Sequence, residues 1–237
     1  MNKGFVVAID GPGAAGKGTI VQMLTDFLSG ANVYTGGMYR ALGLKCLRLN
    51  IALDDKEKVT QLLQKTDIDL GKDLGVVAQI FLDGEDVTEE IKKPEVGIAA
   101  GKVVLIREIR EEMVERQRVI VNKLTDSGKI VILDGQDTAQ IFPDAAMKIF
   151  LTASQEVRAK RRQKQYERQG LTKSFEAVLE EIKERDARDH AREIHPISSD
   201  PIRDGYVIVD STNLNEEETF NIIKEELGKK GLLDDKN

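Results

Sequence analysis

With 237 residues, 41% of them hydrophobic, the chain is long enough to bury one substantial core with at most a small appendage. A formal net charge of −6 argues against a nucleic-acid binder, which has to neutralise many phosphates at once; the single Cys46 excludes an internal disulfide, suits a reducing cytoplasm and reads as a small buried hydrophobe. The first residues meet Asp10 after too few apolar positions for a signal peptide, and no later run is long enough to span a bilayer, so a cytoplasmic protein without membrane or nucleic-acid partners is expected.

Phe5 to Ile9 reads as a buried strand, and Lys17 onward opens a helix with apolar residues at Ile20, Val21, Leu24, Phe27 and Leu28. Between them lies the turn Gly11-Pro12-Gly13-Ala14-Ala15-Gly16-Lys17-Gly18-Thr19. Its glycines let main-chain N–H groups approach an anion, the helix dipole points at the same place, and Lys17 adds a mobile full charge. The spacing satisfies both a dinucleotide turn and most of a P-loop pattern. The lysine favours the P-loop, as does the lack of an acidic residue about 20 positions on, where a dinucleotide site binds ribose. Gly18 stands where the strict pattern has a Mg²⁺-ligating hydroxyl, and Thr19 comes one residue late. A metal would therefore be held by phosphates and water, with no direct protein ligand.

A short strand is expected near Asn32-Val33. The run from Val76 to Leu82, followed by the turn Asp83-Gly84-Glu85-Asp86, predicts a small antiparallel insert within residues 66 to 88. Pro94 then starts one long helix through about Leu124, carrying Val104, Ile109 and Met113 on its apolar face. Asn122-Lys123-Leu124-Thr125 is a near miss to a guanine-reading motif and fails because Thr125 replaces the required carboxylate. Further runs at 130–133, 147–151 and 206–209 complete about five strands alternating with helices, the pattern of an α/β fold with a parallel sheet. The tail from Gly228 is polar and expected to fray.

A basic stretch contains Arg158, Arg161 and Arg162, and the next helix, read over 175–192 with Ser174 as N-cap, has an apolar stripe Phe175, Val178, Leu179 and Ile182. The same spacing continues into Arg185, Asp189 and Arg192. Beside a phosphate-binding turn, this face suits a lid over a phosphate ester with sugar hydroxyls, its arginines meeting the charge that phosphoryl transfer spreads.

With these motifs, the chain resembles bacterial cytidylate kinases, members of the nucleoside monophosphate kinase class. The resemblance rests on Thr35-Gly36-Gly37-Met38-Tyr39-Arg40, Leu82-Asp83-Gly84-Glu85-Asp86-Val87, Phe142-Pro143-Asp144-Ala145, the segment 148–154 and Ile182-Lys183-Glu184-Arg185-Asp186-Ala187-Arg188-Asp189, and it covers nearly the full length. It implies a P-loop core of five parallel strands over residues 1–33 and 106–237, with a lid around 158–172 and a monophosphate-binding insert over 34–105. ATP is the implied co-substrate with Mg²⁺, and a monomer is expected. By position, residues 11–19 hold ATP; Lys17, Arg158, Arg162 and Asp134 serve catalysis, Asp134 by organising the metal's waters. Arg40 and Arg192 imply phosphate contacts, with Thr35 and Tyr39 shaping that pocket. Arg185 and Asp189 imply ribose contacts, and Arg110 and Asp137 cytosine contacts.

Departures from the family fall in the acceptor site, where the run Thr138-Ala139-Gln140 is atypical and three single positions also differ. Gln136 replaces an arginine expected on the CMP phosphate, Gly101 a serine that contacts the base, and Tyr34 an aspartate. The implied reaction is γ-phosphoryl transfer from ATP to CMP or dCMP. The rivals are a kinase of this fold with a shifted acceptor such as UMP, and a catalytically weak nucleotide-binding homologue.

Overall fold

A computed structural model describes residues 3–70 and 79–233. In chain order it runs β1 (Val6–Asp10), α1 (Lys17–Phe27), β2 (Ala31–Tyr34), α2 (Thr35–Arg48), α3 (Lys56–Gln64), β3 (Ile68–Leu70), β4 (Ile80–Leu82), β5 (Glu85–Asp86), α4 (Pro94–Val103), α5 (Arg107–Asp126), β6 (Val131–Asp134), α6 (Thr138–Ile141), β7 (Met147–Thr152), α7 (Gln155–Arg168), α8 (Phe175–His190), β8 (Val207–Asp210) and α9 (Glu216–Lys229). Five strands form one parallel sheet in the order β2-β6-β1-β7-β8, and β3-β4-β5 form a small antiparallel one.

The strands of the large sheet are short apolar runs because both faces are covered. On one face, Val7, Ile9, Ile149 and Leu151 pack against Ile20, Val21 and Leu24 of α1 and against Ile223 and Leu227 of α9. A capping box between Asn215 and Glu218 starts α9. On the other face, Val33, Val131 and Leu133 join Ile109 and Met113 of α5. That cluster continues without a gap into the insert, through Leu42, Ile80 and Leu82. The insert is thus bonded to the sheet by apolar packing as well as by chain connection.

Register matters for function. Ile9 pairs with Asp134, Tyr34 also pairs with Asp134, and Asp10 pairs with Phe150. The carboxyl ends of β1, β2 and β6 therefore stop at one level, where loops of an open α/β sheet hold ligands.

Three expectations need correction. The single helix over 94–124 is two: α4 ends at Val103 and α5 starts at Arg107, with Ile106 extended (φ −79°, ψ 118°). Val104 and Ile106 are both buried at the break, so tertiary packing overrides the continuous helical pattern. The helix read over 175–192 stops at His190, which leaves Arg192 just beyond it. The tail is ordered further than its polarity suggested, since α9 reaches Lys229 and Leu232 and Leu233 pack on the core. The Asp83-Gly84 turn joins β4 to β5 with positive φ at both residues, 50° and 84°, as a two-residue hairpin requires. Residues 76–78 of the expected strand, and 234–237 of the tail, lie outside the described residues. Among the described residues no helix is long and apolar enough to cross a membrane.

Candidate active site at the carboxyl ends of the parallel strands

The turn after β1 is shaped by its glycines. Gly11 has φ 142°, and a Cβ there would run into the Leu151 carbonyl; Gly16 is left-handed at φ 98° and starts α1 without any side-chain cap. The first N–H groups of α1 consequently have neither intrahelical partners nor a side-chain cap, which makes an anion site. The turn's carbonyls are held from outside by cations. Lys17 Nζ donates to Gly11 O at 2.9 Å and Pro12 O at 3.0 Å, Arg158 Nη1 to Gly13 O at 3.2 Å, and Arg161 Nη1 to Ala15 O at 2.9 Å. Burial lowers the Lys17 ammonium below its ordinary pKa, opposed in part by Asp134. Burial likewise raises the Asp134 carboxyl, with Lys17 opposing. Asp134 Oδ2 lies 3.8 Å from where a Cβ of Gly18 would stand, so this carboxylate faces the start of α1.

Two of the three arginines of the basic stretch converge on the turn. Arg158 is buried and also grips Asp186 through Nη1 and Nη2, at 2.9 and 2.6 Å. Arg161 donates to Ser211 as well as to Ala15. Arg162 stands off, donating to Gln165 Oε1 at 3.1 Å with its guanidinium 4.8 Å from the Tyr166 ring centre. α7 and α8 share their own small core of Ala159, Tyr166, Val178 and Ile182, against which Ala14 of the turn, Phe175 and Leu179 pack. The apolar stripe thus faces α7 and the turn.

Across the cleft, α2, α5 and the 135–137 segment supply a second group of polar side chains. Thr35 Oγ1 donates to the Asp134 carbonyl at 2.9 Å, and Arg40 Nη1 to Ile91 O at 2.6 Å. Arg110 and Asp137, both buried, pair with each other, and the same Arg110 nitrogen reaches His195 O at 3.3 Å. Gln136 bridges two further residues: its Nε2 donates to Asp189 Oδ2 at 2.5 Å, and its Oε1 accepts from Arg192 Nη2 at 2.7 Å. Asp189 also pairs with Arg192 and, at 3.5 Å, with Arg185. Arg185 in turn lies against Gly13, its Cζ 3.0 Å from where a Cβ would be. One guanidinium therefore borders both the turn and the second group.

This second group holds buried polar atoms without hydrogen-bond partners, Arg110 Nε, Arg192 Nε and His195 Nδ1, while the Tyr39 hydroxyl and the Gln117 amide have each other as neighbours. Each such atom costs about 1–3 kcal/mol unless something polar meets it. Burial pushes the Tyr39 phenol up, against the opposing pull of Arg110 and Arg192. The three departures take distinct places. The Tyr34 ring packs on Gly36 and Gly37, Gly101 lies beside the Arg188 guanidinium, and Gln136 is the bridge.

Sequence reasoning missed Asp186, Gln117, His195 and the partners of Asp10. Gln117 had a signal: it sits two turns after Arg110 on the inward face of α5. The others pair across long stretches of chain and left none.

The chain is similar to known proteins over nearly its full length. A family model for cytidylate kinase matches residues 7–229. Over 230 residues the chain is 42% identical to the cytidylate kinase of Caldanaerobacter subterraneus subsp. tengcongensis, with 97% of each chain covered. Over 233 residues it is 37% identical to the cytidylate kinase of Bacillus subtilis, covering 97% of this chain and 99% of that one. Among solved structures, an uncharacterized protein from Eubacterium ventriosum is similar with a TM-score of 0.51 at 12% identity, over 94% of this chain and 98% of the other, a likeness of fold alone. A P-loop turn at the end of β1, an arginine-rich helix pair over it and a facing polar cleft thus occur in a chain that belongs to the cytidylate kinase family.

Proposed function

We propose that the protein works in the cytoplasm, transferring the γ-phosphoryl group of ATP to CMP or dCMP to give ADP and CDP or dCDP. The carrying observation is the pair of unpartnered buried Nε atoms of Arg110 and Arg192, the latter linked through Asp189 and Arg185 to the turn at an uncapped helix N-terminus. A nucleoside monophosphate offers what that pair lacks: phosphate oxygens, sugar hydroxyls and a base with a carbonyl and an amino group.

The turn N–H groups from Gly13 to Thr19 cradle the donor phosphates, and Lys17 leaves the Gly11 and Pro12 carbonyls to meet them. Arg40 and Arg192 orient the acceptor phosphate, Arg185 and Asp189 the ribose, and Arg110 and Asp137 exchange part of their mutual pairing for the cytosine edge. Arg158 stabilises charge on the transferring group, joined by Arg162 once it swings in from Gln165 and Tyr166, and closure of α7 and α8 excludes water that would hydrolyse ATP. Asp134 fits Mg²⁺ through water: it is a hard oxygen donor facing the turn, and Gly18 leaves the intervening space open. Among the described residues no trio of His, Cys, Asp or Glu side chains is grouped to hold a metal alone. Bound there, the ion would supply positive charge that offsets the negative charge building up on transfer.

A coupled assay of ADP formation with CMP, dCMP, UMP, AMP and GMP tests the reading. Acceleration by CMP or dCMP is expected. Preference for UMP would point to the acceptor shift that Gln136 and Gly101 raise, and ATP binding without turnover on any acceptor would overturn the enzymatic reading.

A further inference from the structure

The acceptor-reading segment is held in place by a residue of the donor side. We propose that Asp10 is a positioning residue that sets the distance between the two substrates, acting through α6 and assisted by Tyr206. This rests on the reading of Gln136 and Asp137 as acceptor contacts.

Asp10 is the last residue of β1 and directly precedes Gly11, yet its side chain takes no part in the turn. It is fully buried and accepts four hydrogen bonds, all from elsewhere: Thr138 N at 2.8 Å and Thr138 Oγ1 at 2.7 Å on Oδ1, Ala139 N at 2.8 Å and the Tyr206 hydroxyl at 2.8 Å on Oδ2. Thr138 and Ala139 open α6, immediately after Gln136 and Asp137. A carboxylate is the side chain that fits, because every partner is a donor and both oxygens are used twice. Burial, and then Asp10 itself, push the Tyr206 phenol far up, so this hydroxyl stays a donor at any working pH.

The neighbourhood leaves little slack. A Cβ on Gly135 would overlap the Thr138 methyl group and stand 2.9 Å from Thr35 Oγ1, while Gly135 N donates to Ile9 O at 3.2 Å. The donor turn has separate supports in the Leu151 carbonyl wall, Lys17, Arg158 and Arg161. Loosening the Asp10 carboxylate should therefore release residues 136–139 and leave the turn in place. In-line transfer is sensitive to such a shift, since a misplacement of about 1 Å costs on the order of 100-fold.

The test uses the full chain with Thr138→Val, Tyr206→Phe and Asp10→Asn. Four quantities are read: the dissociation constant of ATP without acceptor, KM and kcat with CMP, and the melting temperature. Thr138→Val is expected to raise KM for CMP about fivefold or more, the loss of one hydrogen bond, and to lower kcat as the acceptor shifts, while the ATP constant stays within about twofold. Tyr206→Phe should move the same way by less, and Asp10→Asn by more. Should Asp10→Asn not fold, the other two variants decide. The proposal is overturned if the ATP and CMP constants rise in parallel, or if the melting temperature falls while KM for CMP stays put. Absence of CMP-dependent turnover in the unaltered protein would instead overturn the acceptor reading on which it rests.

Discussion

Arg158 on α7 and Asp186 on α8 form a two-point fork, Nη1 to Oδ1 at 2.9 Å and Nη2 to Oδ2 at 2.6 Å, with side chains only 4% and 14% exposed. The same Nη1 reaches Gly13 O at 3.2 Å, so one guanidinium clamps α7 and α8 together and ties them to the glycine-rich turn. Removing one member strands the other as a buried charge, at a cost of about 3–5 kcal/mol.

Burial alone would raise the Asp186 carboxyl, but hydrogen bonds from Arg158 and Gln155 and the Arg158 charge hold it below its ordinary value of 3.8. A carboxyl depressed in the folded state adds stability that is fully present above the unfolded value and lost as pH falls through the folded one. Amide protection factors in α7 and α8 should therefore fall from about pH 4 downward, ahead of those of the parallel sheet. Asp186→Asn should show the same low protection already at pH 7. Equal protection of lid and sheet in that variant would mean the fork contributes nothing to lid order.

Lys17 carries a different cost. Its ammonium is kept in surroundings that disfavour the charge, chiefly through burial, and the nearby carboxylates, Asp134 foremost, only partly offset that. Lys17→Met should lower kcat about 100- to 1,000-fold, as loss of a cation on the transferring group does elsewhere, while the melting temperature holds or rises. The sign with pH follows. Between the lowered folded value and the ordinary 10.5 the unfolded chain binds more protons, so stability of the unaltered protein gains as pH climbs through that window. Denaturant titrations at pH 8 and 10 should show this gain in the unaltered protein and not in the Met variant. A variant that melts well below the unaltered protein would show that the lysine supports the fold as well as the reaction.

Local patterns carried the sequence reading far. The turn from Gly11 to Lys17, the five apolar runs, the Ser174 cap and the Asp83-Gly84 hairpin all depend on residues within a few positions of one another. What escaped depends on distant pairings. The four donors to Asp10 come from 128 to 196 residues away, and the Arg158 partner lies 28 residues on, across a helix turn of unreadable geometry. The helix break at 104–106 failed for a related reason, because its buried Val104 and Ile106 satisfy a helical stripe equally well. Among the site residues, those read singly as ligand contacts turned out to be paired with one another, Arg110 with Asp137 and Gln136 with both Asp189 and Arg192. No spacing rule foretells such pairs.

Gln136 is where this pairing makes a sharp prediction. Its amide donates to Asp189 and accepts from Arg192, which a neutral side chain with both functions can do and a guanidinium cannot, since arginine has no acceptor. Gln136→Arg should keep the bond to Asp189, lose the one from Arg192 and set two cations side by side, lowering the melting temperature of the unliganded protein. With CMP bound, the dianionic phosphate lies between those cations and reverses the balance. A charge-assisted hydrogen bond contributes about 1.5–3 kcal/mol, so kcat/KM for CMP should rise roughly tenfold or more, and CMP should raise the melting temperature by more than it does in the unaltered protein. Unchanged or lower kcat/KM would mean that another cation already meets the acceptor phosphate and that Gln136 serves only to align Asp189 with Arg192.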